Sequence, residues 1–180
     1  MQKLLMRVML TVSLAVAATI AHSATPTADT DILNKAVEYF QSGKYHESLL
    51  MFRRLHSRYS LNSRFMAYMS VCLYYDAEYE QCADIIDSIA PRLNVFAPHE
   101  QSVYFYCAAQ SCHKIERYTD AIAYYERVLL LCYGNEKGDI LKDIGMCYKA
   151  MGQIPTAQEY FLSALAYYRK FNQKFSFDVN

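Results

Sequence analysis

The sequence predicts an all-α chain built from about four stacked helical hairpins. One loose pattern of small and bulky side chains occurs four times, at intervals of 34, 39 and 36 residues. Apolar residues recur with helical rather than alternating spacing. Glycine and proline are scarce, at 5 and 4 of 180 residues. Repeats of this length are typical of stacked helical units, none of which buries its apolar face alone.

Four positions define the pattern in each copy. They are an anchor, a small residue nine positions before it, a small or medium residue three after it, and a bulky residue seven after it. A small side chain on one helix lets a second helix approach closely, and a bulky one fills the gap at the opposing level. The anchors are Tyr45, Tyr79, Tyr118 and Ile154; the preceding small residues are Ala36, Ser70, Ala109 and Gly145; the following ones are Ser48, Cys82, Ala121 and Ala157; the bulky residues are Phe52, Ile86, Tyr125 and Phe161.

The first hairpin is predicted to follow a short polar linker at residues 24–30. Its helices are expected at about 31–42 and 45–59, because apolar residues keep a helical spacing on both sides of Gly43. The first repeat therefore covers about residues 31–60.

The second hairpin is predicted at about residues 63–92, with helices at 64–75 and 79–90. Pro91 ends the second of these helices, since proline cannot continue a helix. The connector 91–98 is the longest between repeats and accounts for the interval of 39 residues.

The third and fourth hairpins are predicted at about residues 98–133 and 137–171. Pro98 suits the first turn of a helix, and Gly152 suits the end of one. The expected helices are 98–115, 118–132, 137–151 and 155–171, followed by a tail at 172–180.

The first 23 residues have the layout of a cleavable secretory signal peptide. Lys3 and Arg7 give a positive start, and an apolar run covers residues 8–21. Ala21 and Ser23 are small residues at the two positions that a signal peptidase reads. The run is shorter than the ~20 residues that a membrane span needs. An uncleaved anchor is the alternative interpretation.

Composition and charge restrict the location and the partners. Hydrophobic residues make up 53% of the chain, which argues against disorder. Without the predicted signal peptide, 16 basic and 18 acidic residues remain. This balance gives no reason to expect nucleic acid, whose binders usually carry a basic excess. The first cysteine is Cys72, so no lipoprotein cysteine follows the cut. We expect an exported bacterial protein of the periplasm or cell envelope.

The six cysteines allow two interpretations. An even number in an exported chain is compatible with disulfides. Alternatively, the thiols are small core hydrophobes, as the place of Cys82 in the pattern indicates. Cys107 and Cys112 cannot pair with each other, because residues five apart on a helix point about 140° away from each other.

Sequence signals for catalysis are incomplete. The His-Glu pairs at 46–47 and 99–100 resemble the start of a zinc-protease helix, but Leu50 and Val103 replace the second histidine. The chain has neither a glycine-rich phosphate loop nor a Gly-x-Ser-x-Gly sequence. We therefore expect no enzyme activity, no metal site and no cofactor.

The fourfold pattern resembles the tetratricopeptide repeat (TPR), a family whose unit is a helical hairpin of about 34 residues. The best-matching segment is IGMCYKAMGQIPTAQEYFLSALAYY in the fourth copy, followed by HKIERYTDAIAYYERVLLL in the third. The resemblance covers about residues 30–170. It implies a right-handed superhelical array in which the first helix of each hairpin, helix A, lines a concave groove. Most family members bind peptides or helices of other proteins there, without catalysis.

The family's register places a candidate groove surface on the A helices. Its side chains are aromatic at the start of the array and basic at its end. Aromatic residues are typical of binding hot spots, and lysines would steer an acidic segment. Alternatively, Tyr74 and Tyr75 pack within the stack and the lysines form a solvated face. The predicted groove residues are Phe40, Arg64, Tyr74, Tyr75, Tyr106, Gln110, His113, Lys114, Lys142 and Lys149.

We therefore expect a non-enzymatic scaffold or adaptor in the cell envelope that holds a peptide or helix of a partner protein. The alternative is a sensory input module, in a short form, of an envelope signalling or transcription-regulatory system. The last helix is expected to expose Phe161, Leu165, Tyr168 and Phe171. A tail that folds back, self-association through this end, or a short form of a longer sensor would each explain such a face.

Overall fold

The structure, a computed structural model, describes residues 28–171, and these form helices with no strand among them. The all-α prediction is confirmed. A 3-10 helix, Ala90–Val95, lies between α4 and α5. The α-helices are α1 Ala28–Gln41, α2 Tyr45–His56, α3 Ser63–Tyr75, α4 Tyr79–Ile89, α5 Pro98–Lys114, α6 Tyr118–Leu131, α7 Lys137–Ala150 and α8 Ile154–Lys170. The predicted signal peptide and the tail 172–180 lie outside the described residues.

The helices form a right-handed superhelical array of four hairpins. Helices α1, α3, α5 and α7 are the A helices, and α2, α4, α6 and α8 are the B helices. Each helix packs mainly against its neighbours in sequence, and α3 also packs directly on α5. One continuous apolar core runs from the first hairpin into the fourth.

The predicted helix bounds differ from the observed ones by at most three residues, with one exception. Helix α1 begins at Ala28, inside the predicted linker, and Asp29 on it accepts hydrogen bonds from Arg58 and from the Tyr59 hydroxyl. The exception is the predicted connector 91–98, most of which is a 3-10 helix. Leu93 in that helix is fully buried, so core packing gives the connector a regular structure.

The small residues of the repeat pattern lie where the helices of a hairpin come closest. In the first hairpin the buried Ser48 hydroxyl donates to the Ala36 carbonyl oxygen across 2.8 Å. In the fourth, a Cβ atom added at Gly145 would lie 2.6 Å from the ring of Phe161. The two helices of a hairpin can therefore pack this closely only because one of them carries a small side chain at the point of contact.

The prediction that the last helix exposes four bulky residues is wrong for Tyr168, which is 4% exposed. Its ring packs over Gly138, and its hydroxyl donates to Asp139 across 2.7 Å. Phe161 is half-buried for the same reason, because Gly145 leaves room for its ring. The large apolar side chain that α8 exposes most is instead Leu162, at 67%.

The turn inside each hairpin passes through the left-handed region of backbone conformation. Gly43 and Gly152 have φ angles of 75° and 76°. The equivalent residues of the middle hairpins are Ala77 and Glu116, with φ angles of 59° and 62°. A residue with a Cβ atom costs about 1–2 kcal/mol in this conformation, so these two turns are strained.

All six cysteines lie in the core as free, buried thiols. Burial raises the pKa of Cys72, Cys82 and Cys147 to about 12, and that of Cys112 and Cys132 to about 11. The geometry thus matches the interpretation of the cysteines as small hydrophobic residues.

We predict that Gly145→Ala destabilises the protein. Alanine gains about 1 kcal/mol of helix propensity, but forcing a methyl group into the Phe161 ring costs about 1–3 kcal/mol. Urea unfolding should therefore show a net loss. In a Phe161→Leu background the same change should be neutral or stabilising, since the ring is gone. Equal losses in both backgrounds would contradict this account of the close packing.

We also predict that the folded protein, purified without reductant, does not react with a thiol reagent at pH 8. The thiolate is the reactive form, and burial with a raised pKa suppresses it. Six thiols should become reactive in denaturant. A count below six in the denatured protein would show that disulfides form, which would contradict the free thiols.

Candidate functional site

The A helices that carry the predicted groove residues are fixed at their starts by local contacts. Asn62 caps α3, its side-chain oxygen accepting hydrogen bonds from the backbone N–H groups of Arg64 and Phe65. Pro98 opens α5, and the Gln101 side chain donates to the Phe96 carbonyl oxygen across 2.7 Å. These caps set where the groove-facing positions begin on each helix.

The structure places the ten predicted groove residues at different depths. Tyr75, Lys114 and Lys149 are exposed. Two are in the core: Phe40 is 2% exposed and Tyr106 is 4% exposed. The remaining five are partly buried: Arg64, Tyr74, Gln110, His113 and Lys142.

Phe40 and Tyr106 therefore require a correction, since buried rings offer no contact area to a partner. The Phe40 ring stacks on Tyr68, with 4.2 Å between ring centroids, and Tyr106 lies against Tyr125 at 6.2 Å. The prediction that these two residues face a partner in the groove is therefore wrong.

Tyr75 and Tyr74 are the aromatic residues of the candidate groove that keep exposed surface. The Tyr75 ring stacks on Tyr45 of the first hairpin, with 4.1 Å between centroids and 6° between ring planes. Tyr74 meets Tyr75 edge to face at 5.3 Å. Tyr75 is 40% exposed, so a stiff aromatic surface is accessible where the first two hairpins meet.

Arg64 links two A helices. Its guanidinium donates to Glu100 of α5 across 2.8 Å and to the Tyr68 hydroxyl across 3.3 Å, and it lies 4.5 Å from the centre of the Phe96 ring. Burial works against its charge, but Tyr68 and Glu100 raise the pKa of Arg64 above its ordinary value. This side chain is engaged within the array and is part of the α3–α5 junction.

The basic part of the groove lies at the ends of α5 and α7. His113 and Lys114 occupy the last turn of α5, and Lys149 occupies the last turn of α7. Burial and the neighbouring Lys114 lower the pKa of His113, so this imidazole is neutral at pH 7. Cations at helix C-termini also complement the helix dipole, which gives these lysines a structural role as well.

Gln110 connects to a residue that the sequence analysis missed, Asp143 of α7. The Gln110 amide nitrogen donates to the Tyr106 hydroxyl across 2.7 Å and to the Asp143 carboxylate across 2.8 Å. Burial raises the pKa of Asp143 to about 7. In the sequence, Asp143 is the single acidic residue between the apolar residues Ile140 and Ile144. The family register instead assigned the neighbouring Lys142 to the groove.

Two surface cavities lie at the edge where A helices begin, and the predicted groove residue Arg64 lines the second. They have volumes of about 420 and 490 Å³. The first lies between the first two hairpins, and the second lies beside the 3-10 helix. Leu33 and Phe65 belong to the first, and Arg92 and Phe96 to the second.

Residues 28–171 offer neither a metal-binding cluster nor a membrane-spanning helix. No cluster of three or more His, Cys, Asp or Glu side chains there could hold a metal ion. No helix in that range is long and apolar enough to cross a membrane.

Comparisons with known proteins agree on the fold. A tetratricopeptide repeat family model matches residues 101–170. Solved structures of MamA superpose on the chain. One titled "MamA MSR-1 C2" is 14% identical with a TM-score of 0.68, covering 94% of this chain and 95% of that one. Another titled "Crystal structure of MamA" is 16% identical with a TM-score of 0.65, covering 93% and 88%. No curated protein matches the sequence significantly.

Identities this low show a shared fold and carry no information on partners. The family match, however, covers the third and fourth hairpins as the structure has them, apart from the first turn of α5. The first two hairpins repeat the same arrangement of A helix, left-handed turn and B helix. Residues 101–170 therefore belong to the tetratricopeptide repeat family, and the first two hairpins share its fold.

Proposed function

We propose that the A helices form a groove that binds a peptide or helix of a partner protein, without catalysis. The observation that carries this proposal is the accessible set of Tyr75, Lys114 and Lys149 on three successive hairpins. Aromatic and basic side chains are the ones that most often supply binding energy and steering at protein interfaces. The partly buried Tyr74 and Lys142 extend the same surface.

The groove offers a partner two kinds of contact. Tyr75 provides rigid apolar area at one end, because its ring is held flat against Tyr45. Lys114 and Lys149 provide positive charge at the other end, where acidic residues of a partner would be attracted. A segment that spans both ends would carry an apolar anchor and an acidic stretch.

We also propose that the protein acts outside the cytoplasm, in the periplasm or cell envelope. The support is the layout of residues 1–23, with a basic start, an apolar run and small residues before the predicted cut.

N-terminal sequencing of the protein recovered from the envelope fraction of a bacterial host tests the export proposal. We expect the mature chain to begin at Ala24 or one residue later. As a control, Ala21→Arg should block processing, because signal peptidase requires a small residue there. An unprocessed chain that stays in the cytoplasm would contradict export.

The groove is tested with peptides selected from a phage-displayed random library on the purified protein. We expect Lys114→Glu combined with Lys149→Glu to weaken binding of the selected peptides by about tenfold or more, because two attractive charges become repulsive. Fluorescence polarisation measures the dissociation constants, and raised salt should reduce the difference.

The matched control reverses two exposed charges on B helices, Arg54→Glu with Arg169→Glu. This variant has the same net charge as the groove variant, so it should bind the peptides like the wild type if the groove is the site. An equal loss in both variants, or no selected peptide at all, would contradict the groove proposal.

A further inference from the structure

We propose that Asp143, on the floor of the groove between the third and fourth hairpins, binds a lysine or arginine side chain of the partner. This inference rests on the proposed function, because it names the chemistry of the segment that the groove takes. The partner would then carry mixed charge, with a basic residue at Asp143 and acidic residues near the lysines at the helix ends.

The carboxylate of Asp143 is held in a fixed position by the third hairpin. Gln110 of α5 donates to its Oδ2 atom across 2.8 Å, and the same amide nitrogen donates to the Tyr106 hydroxyl across 2.7 Å. Because Tyr106 is locked in the core, the amide that holds Asp143 is locked as well. A carboxylate set in place before binding loses little entropy when a cation arrives.

No cation in the described part of the chain forms an ion pair with Asp143. Its hydrogen-bond donor there is the neutral Gln110. Lys142, the next residue along the helix, favours the charge of Asp143, and Asp139 opposes it. Withdrawing a carboxylate from water is costly, and a cation supplied by a partner would offset that cost.

The surroundings of Asp143 are aromatic. The hydroxyl groups of Tyr74, Tyr106 and Tyr125 all lie close enough to the carboxylate for its charge to raise their pKa values. Of these three, Tyr74 is partly exposed, and a tyrosine ring beside a carboxylate is suited to an ammonium or guanidinium group. An acidic partner residue would instead be repelled at this point.

A partner side chain can reach the site from the groove. Asp143 keeps part of its surface exposed, and so do Gln110, Met146 and Tyr74 around it. A long, flexible lysine or arginine side chain suits a carboxylate at this depth.

The site also implies pH-dependent binding. Groups that face Asp143 lie on five helices, and the tyrosine and cysteine groups among them have raised pKa values that keep them neutral at pH 7. They are Asp139, Lys142 and Cys147 on α7, Tyr106 on α5, Tyr74 on α3, Tyr125 on α6 and Tyr168 on α8. Since the pKa of Asp143 is about 7 in the free protein, the carboxylate is ionised at pH 8 and mostly protonated at pH 6.

The test uses the purified protein and peptides selected from the random phage-displayed library. We expect the tightest peptides to share one lysine or arginine, and Asp143→Asn to weaken their binding by about tenfold or more. Replacing that basic residue by alanine should weaken binding to the wild type and leave binding to Asp143→Asn nearly unchanged. This coupling distinguishes a direct contact from a general loss of structure.

Asp84→Asn, at an exposed position of α4, is the matched control and should bind like the wild type. Wild-type affinity should fall by about tenfold from pH 8 to pH 6, and the affinity of Asp143→Asn should not. Since protonation of His113 would also weaken binding of a basic peptide at low pH, the comparison is repeated in a His113→Gln background.

Each outcome decides between the two proposals. If peptides bind the groove without a shared basic residue, or if the coupling with Asp143 is absent, the inference fails and the proposed function stands. If no peptide binds the wild type, the proposed function fails and the inference fails with it. Should Asp143→Asn not fold, NMR titration of the wild-type Asp143 carboxyl replaces it. Its pKa must then fall when a basic peptide binds, and an unchanged pKa would overturn the inference.

Discussion

The close approach of the two helices in each hairpin is the constraint on which the array depends. In the first hairpin a side chain of α2 reaches the backbone of α1, as the Ser48 hydroxyl does at Ala36. In the fourth, the missing side chain of Gly145 leaves room for the Phe161 ring. This spacing fixes each B helix against the A helix of its hairpin. The proposed groove lies on the A helices, whose positions are set by this packing at small residues.

Much of the fold could be predicted from the sequence, because the signals for it are local. Helical periodicity and the turn residues between helices lie within a few positions of the structures that they specify. The 3-10 helix at Ala90–Val95 could not be predicted, since it depends on burial of Leu93 against helices distant in sequence. The left-handed turns at Ala77 and Glu116 were equally hidden, because neither residue type favours that conformation.

The candidate site was less predictable than the fold. The family register placed Tyr75, Lys114 and Lys149 correctly at the surface, but register does not give the depth of a side chain. Tyr106 is buried in the core, although the family register assigns its position to the groove. Asp143 became visible only through its bond to Gln110, which lies 33 residues away in sequence. Contacts between successive hairpins decide these depths, and they appear only once the helices are stacked.

If the chain is exported, as proposed, its six free thiols make the timing of folding important. Before folding, these sulfur atoms are open to oxidants and can join in many alternative pairings, none of which the finished core contains. In an oxidising compartment, the yield of folded protein then depends on whether folding buries the thiols before they are oxidised. Hairpins that mainly touch their sequence neighbours assemble from local contacts, which form quickly. The repeat architecture thereby also protects the six cysteine thiols from oxidation by burying them early in folding.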